Sequence, residues 1–106
     1  MNRSSINNVD VYDIAEIKER LTPIFLSNRV KSAVLFGSYA KGEAGPRSDV
    51  DILVDSGLRG LDFVGLIEFV REALQKNVDM FDVCYVRKGS RVDREIVETG
   101  VPIYDE

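Results

Sequence analysis

Two aspartates, Asp49 and Asp51, open an otherwise apolar run of Val50, Ile52, Leu53 and Val54. At positions i and i+2 of a strand, two side chains project from one face, about 7 Å apart at the backbone. Carboxylates placed in this way repel each other, and a sheet has no structural reason to pair them. A divalent cation removes the repulsion. Two cations about 3.5–4 Å apart can bridge such a pair and clamp the attacking and leaving oxygens of a phosphoryl displacement. Gly37-Ser38, with ten residues between Ser38 and Asp49, complements the pair. A glycine directly after a buried strand lets the backbone turn tightly and approach a ligand. Ser38 to Lys41 is expected to begin a short helix with free N–H groups directed at an anion. Ser38 adds a hydroxyl, and Lys41 adds a positive charge on the same turn. A phosphate cradle beside a metal-binding aspartate pair is what a nucleoside triphosphate requires. Each piece alone is common in turns and on surfaces; the combination is much more specific.

These residues need a scaffold, and the pattern around them supplies one. Ser32-Ala33-Val34-Leu35-Phe36 reads as a short buried strand ended by Gly37-Ser38. Residues 42–48 (Gly-Glu-Ala-Gly-Pro-Arg-Ser) read as a loop. A second strand follows, with Val50, Ile52 and Val54 on its core face. Upstream, Ile14, Ile17, Leu21, Ile24 and Phe25 recur at helical spacing, so a helix is expected from about Asp13 to Ser27, kinked or broken at Pro23. Downstream, an amphipathic helix is expected from Leu61 to Gln75. A third strand spans Val78 to Val86, and Ser90 caps a helix running to about Thr99. Gly100 ends that helix, and Val101-Pro102-Ile103-Tyr104 forms an edge strand, since proline cannot donate to a sheet ladder. Alternating strands and helices give an α/β (α+β) class, with a central mixed sheet of about four strands flanked by helices.

Composition narrows the chemistry. The 106 residues suit one domain over 1–106, and 44% are hydrophobic, enough for autonomous folding. The net charge of −4 argues against general nucleic-acid binding. The absence of histidine excludes Ser-His-Asp and Cys-His catalysis and the usual zinc sites. Proton transfer and metal ligation then rest on carboxylates, and oxygen-only ligation points to a hard cation such as Mg²⁺. Cys84, the one cysteine, is expected to be a buried structural thiol rather than a nucleophile. No apolar run is long enough for a membrane span, and Met1-Asn2-Arg3-Ser4-Ser5 lacks the apolar core of a leader, so a cytoplasmic location is expected.

Phe36-Gly37-Ser38-Tyr39-Ala40-Lys41-Gly42 and Ser48-Asp49-Val50-Asp51-Ile52-Leu53-Val54 resemble the signature of the nucleotidyltransferase superfamily that includes DNA polymerase beta and kanamycin nucleotidyltransferase. The short chain resembles its minimal (MNT) branch, commonly the antitoxin half of toxin–antitoxin pairs with a HEPN-domain ribonuclease toxin. The resemblance implies the nucleotidyltransferase fold. It implies Gly37, Ser38, Lys41 and Ser48 at the nucleotide, and Asp49 and Asp51 as catalytic metal ligands. A third acidic residue on a following strand, read as Asp79, completes the set. It further implies ATP as substrate, two Mg²⁺ ions, and AMP transfer to a hydroxyl, read as a tyrosine of a HEPN toxin, within a homo- or hetero-oligomer. The family often has arginine where this chain has Lys41, which keeps the charge but loses the bidentate geometry.

The third carboxylate has two candidates. Asp79 and Asp82 are three apart, so in a regular strand they face opposite sides. Both faces carry apolar residues, so parity alone does not choose. If the two aspartate strands run side by side in the same direction, Asp79 is level with the pair and Asp82 lies about 10 Å further along. The family pattern agrees with Asp79. Two other functions remain open at this stage: an inert antitoxin acting by occlusion, and a small-molecule nucleotidyltransferase. Phe69 and Leu61 fall off the main apolar stripe of their helix and hint at a contact patch, although packing in the core would equally explain them.

Overall fold

The computed structural model describes residues 11–106, so the leader reading of Met1 to Ser5 lies outside the described residues. Helix α1, Ile14–Ser27, begins at a capping box. The Asp13 carboxylate accepts from the Glu16 N–H, and the Glu16 carboxylate accepts from the Asp13 N–H. It runs uninterrupted through Pro23, so the expected break does not occur. Pro23 and Glu19, whose carbonyl loses its partner to the missing proline N–H, both stand on the exposed side of the helix. Strand β1, Ser32–Phe36, leads into the four-residue helix α2, Ser38–Lys41. Strand β2 spans Val50–Asp55 and helix α3 spans Gly60–Leu74, closed by Gln75 in the left-handed conformation. Strand β3, Val78–Asp82, is followed by a 3₁₀ turn over Val83–Tyr85. Helix α4, Arg91–Thr99, is capped by Ser90, and strand β4 covers Val101–Asp105.

The strands form a mixed sheet in the order β3-β2-β1-β4. β1 is antiparallel to both β2 and β4, while β2 and β3 run parallel. Proline-bearing β4 takes an edge, as its inability to donate requires. One sheet face is the core. Val50, Ile52 and Val54 point into it and pack with Ile17, Leu21 and Phe25 of α1 and Leu66, Val70 and Leu74 of α3. The opposite face carries α4 over β1, and Asp51 and Leu53 lie half-buried on it. Among the described residues, no helix is long and apolar enough to cross a membrane.

The expected third strand ends four residues early. The Asp82 side chain accepts from the Cys84 N–H and so caps a turn instead of continuing the ladder. This overturns the reading of Cys84 as buried: it is exposed, with its thiol donating to the Asp82 carboxylate at 3.0 Å. That hydrogen bond, with burial and the carboxylate charge behind it, raises the thiol pKa above its usual value. A thiol held protonated is a poor nucleophile, so the non-catalytic reading survives for a different reason.

Candidate active site

The end of β1 and the start of β2 lie side by side because the two strands are antiparallel, with Phe36 opposite Asp51. Parallel pairing of β2 with β3 then places Asp79 opposite Asp51. Phe36, Asp51 and Asp79 thus form one row across three strands, and paired residues in a row share a face. Asp49 lies one residue before the ladder begins, on exposed chain rather than in the strand, yet it opens onto the same cleft. That cleft, of about 460 Å³, is lined by Ser38, Ser48, Asp49, Asp51 and Asp79 over the rings of Phe36 and Phe81. The two rings pack at 6.0 Å between centroids and make an apolar floor.

Gly37 is required at its position on two counts. Its φ of 76° lies in the region that side chains disfavour, and a Cβ there would run into the Asp51 carboxylate. Its N–H donates to the Thr99 hydroxyl at 2.8 Å, and that hydroxyl donates to the Glu95 carbonyl at 2.7 Å. The N–H of Gly37 is therefore engaged with α4 instead of pointing at a ligand. Ser38, by contrast, lines the cleft with a hydroxyl that has no partner among the described residues. The Ser48 hydroxyl accepts from the Gly45 N–H at 2.9 Å and stiffens the loop leading to Asp49. Lys41 is not brought to the cleft. It is exposed at the end of α2, with its ammonium 3.4 Å from the Glu43 carboxylate.

The cleft contains two residues that the sequence reading missed. Arg91 and Glu95, from the first turns of α4, line its wall. The available signal was their spacing: Arg91, Glu95 and Thr99 recur every four residues, a polar stripe along one helix face. Reading that stripe as functional required knowing that α4 lies over Phe36 and Gly37, which its own residues do not reveal. Glu95 makes a fourth carboxylate. Asp51 responds to this crowding: burial first, then the charges of Asp79, Glu95 and Asp49, push its pKa up to about 6.

The donor chemistry fits a hard divalent cation. Oxygen ligands share one rim, and the raised pKa of Asp51 reflects burial and then negative charge without a counter-ion. Among the described residues, no three His, Cys, Asp or Glu side chains are gathered into a ready-made cage. Asp82 lies on the other face. It is buried at 3% exposure, accepts from the Ser56 N–H and hydroxyl at 3.0 and 2.6 Å, and takes no part in the cleft.

A Gly-Ser turn facing strand-borne carboxylates across a mixed four-stranded sheet defines a class of phosphoryl-transfer domains. The chain belongs to the nucleotidyltransferase domain family, whose model matches residues 14–99. It is similar to a Methanocaldococcus jannaschii protein, MJ0435, provisionally named a protein adenylyltransferase. The two are 46% identical over 70 residues, which cover 64% of this chain and 75% of that one. Among solved structures, it is similar to a toxin–antitoxin complex with AMP-PNP, at a TM-score of 0.72 and 22% identity over 84% of this chain and 73% of that chain. It is also similar to a chain in the complex of a tri-AMPylated Shewanella oneidensis HEPN toxin with its MNT antitoxin. That TM-score is 0.67, with 20% identity over 88% of this chain and 73% of the other. At these identities the structural likenesses show the fold.

Proposed function

We propose that this protein transfers AMP from ATP to a hydroxyl of a partner protein and acts as the antitoxin towards a HEPN-domain toxin. The observation that carries this reading is the register of Asp51 with Asp79, facing the unpartnered Ser38 hydroxyl in one cleft. The adenylyltransferase name of the M. jannaschii relative and the AMPylated toxin in the S. oneidensis complex support AMP as the group and a HEPN protein as the acceptor. Asp49, Asp51 and Asp79 would hold Mg²⁺, two ions in the full complement, which when bound neutralises polyphosphate charge and orients the reacting oxygens.

The chain's own residues do the rest. The Ser38 hydroxyl donates to a phosphate oxygen, and the Arg91 guanidinium offers the polyphosphate the charge expected of Lys41. The Phe36 and Phe81 rings exclude water from beneath the reacting phosphate. The acceptor oxygen bonds to the α-phosphorus as the bond from that phosphorus to its bridging oxygen breaks. The electron pair leaves with pyrophosphate, and the acceptor proton passes to the exposed Asp79 carboxylate and on to solvent. Positioning and charge account for the rate, with no covalent intermediate on the protein.

Incubation with α-labelled ATP, Mg²⁺ and a purified HEPN-domain toxin tests the proposal. Label on the partner, abolished by EDTA, is the expected result. A stable complex that neutralises the toxin without transferring label would replace transfer with occlusion.

A further inference from the structure

A second concavity shares part of its wall with the cleft. Ser48 and Asp49 belong to its wall too, but Ser38 does not. This groove, of about 610 Å³, lies between the loop carrying Arg47, the C-terminal half of α3 with Phe69 and Glu72, and Asn77 just ahead of β3. The geometry points to this groove as the seat of the acceptor segment of the partner protein, with Phe69 as its apolar anchor and Arg47 as its polar one. The assignment rests on the transfer reaction proposed above.

Three observations converge on it. The first is directional. In a phosphoryl displacement the attacking and leaving oxygens lie roughly in line on opposite sides of phosphorus. With the polyphosphate extended towards Ser38, the acceptor oxygen must arrive from the opposite side of Asp49, where this groove opens. The second is apolar surface. Phe69 is 53% exposed, although its neighbours Leu66 and Val70 are fully buried. It also borders an apolar depression of about 290 Å³ against Pro23 and Ile24 of α1, so one ring links the groove to a dry patch. Exposed aromatics flanked by a polar rim are the usual anchors of protein–protein contacts.

The third is charge. Arg71 is paired with Glu68 at 3.1 Å, and Lys76 reaches the Pro46 carbonyl at 3.3 Å. Arg47 has no hydrogen bond or ion pair among the described residues, so it is free to meet an acidic side chain. The occupant is therefore a protein segment that presents its hydroxyl next to an apolar residue for Phe69 and an acidic residue for Arg47.

The rival occupant is the adenine base, which Phe69 could stack. Phe69→Ala and Arg47→Glu alter exposed side chains, and circular dichroism melts check that both variants fold. Steady-state AMP transfer to the purified HEPN-domain protein is measured together with Mg·ATP binding by calorimetry. The expected result is a rise of about tenfold in the acceptor KM for each variant, with ATP affinity within about twofold of wild type. An equal loss of ATP affinity would assign the groove to the nucleotide and overturn the inference. Unchanged acceptor KM in both variants would overturn it as well, while leaving transfer itself intact. Wild-type protein that binds ATP but labels no partner would instead remove the reaction on which the assignment rests.

Discussion

Asp79 and Asp82 stand three residues apart on one strand, and the fold treats them in opposite ways. Asp82 faces the core, and four donors from Ser56 and Cys84 converge on its two carboxylate oxygens. Asp79 is exposed on the other face, level with Asp51, and the side chain it meets there is the like-charged Asp51 carboxylate. A buried charge with every lone pair engaged is structural; removing it breaks the turn after β3. A charge set against other carboxylates destabilises the isolated protein and calls for a ligand of opposite charge. The contrast gives one aspartate a structural role and leaves the other as the proposed third carboxylate of the reaction.

The strongest way to break that division is to exchange the expected losses. Asp51→Asn and Asp79→Asn should each reduce AMP transfer by about a hundredfold or more, the scale of losing one electrostatic group from a reacting centre. Their melting temperatures in metal-free buffer should not fall, because each removes a repelling charge from the rim. Asp82→Asn should do the reverse. An amide keeps one acceptor oxygen and turns its nitrogen towards donors, so stability should drop by about 1–3 kcal/mol while transfer stays within a few-fold below the new melting point. Urea melts and labelling on the same preparations decide both halves. A fully active Asp79→Asn, or a transfer-dead but stable Asp82→Asn, would mean that the faces have been assigned the wrong way round.

Acid sharpens the same comparison. Burial by itself would raise the Asp82 pKa, but hydrogen bonds from the Cys84 thiol, the Ser56 hydroxyl and the two backbone N–H groups outweigh it and hold the carboxyl below the usual range. A folded-state pKa below the unfolded value of about 3.9 contributes stability that is fully present above that value. The contribution is lost as pH falls through the folded value. The stability gap between wild type and Asp82→Asn should therefore be constant from neutral pH down to about 5 and shrink below about 4. A gap that stays constant into strong acid would show that the carboxyl titrates alike in the folded and unfolded chains, and a gap that widens would show it protonated in the fold.

Much of the scaffold was legible because its signals are local. The alternation of Val50, Ile52 and Val54, the Ser90 cap and the Gly-Ser turn after Phe36 depend on near neighbours, and the elements appear where those residues put them. The position of Asp79 was legible through register, since parallel strands that each carry an aspartate at the second residue bring the two level. What was not legible depends on contacts between distant segments. β3 stops at Asp82 because Ser56, 26 residues earlier, holds the carboxylate and Cys84 caps onto it. Thr99 reaches Gly37 across 62 residues. Arg91 and Glu95 join the cleft only because α4 crosses the sheet at Phe36. Phe69 was flagged by its position off the helix stripe, yet only the fold shows it exposed.

The smallest expected effect extends the comparison to the cations. Lys41 sits within the signature, but its charge is answered by Glu43 and its side chain is not part of the cleft lining. Arg91 lies 50 residues later, outside any motif, and lines the cleft with no hydrogen bond or ion pair among the described residues. An unpaired guanidinium beside four carboxylates gains most when a polyphosphate arrives, because it then binds oxygens in pairs. The site is open to water, which limits the gain, so Arg91→Ala should weaken ATP binding by only about three- to tenfold. Arg91→Lys should recover part of the loss by keeping the charge without the fork. AMP, with fewer phosphate oxygens to offer, should lose less affinity than ATP in the same variant. Lys41→Ala should stay within about twofold of wild type. Calorimetric titration of ATP and AMP into the three variants measures all of this. A larger loss from Lys41→Ala than from Arg91→Ala would return the phosphate contact to the signature residue and leave α4 as a structural wall.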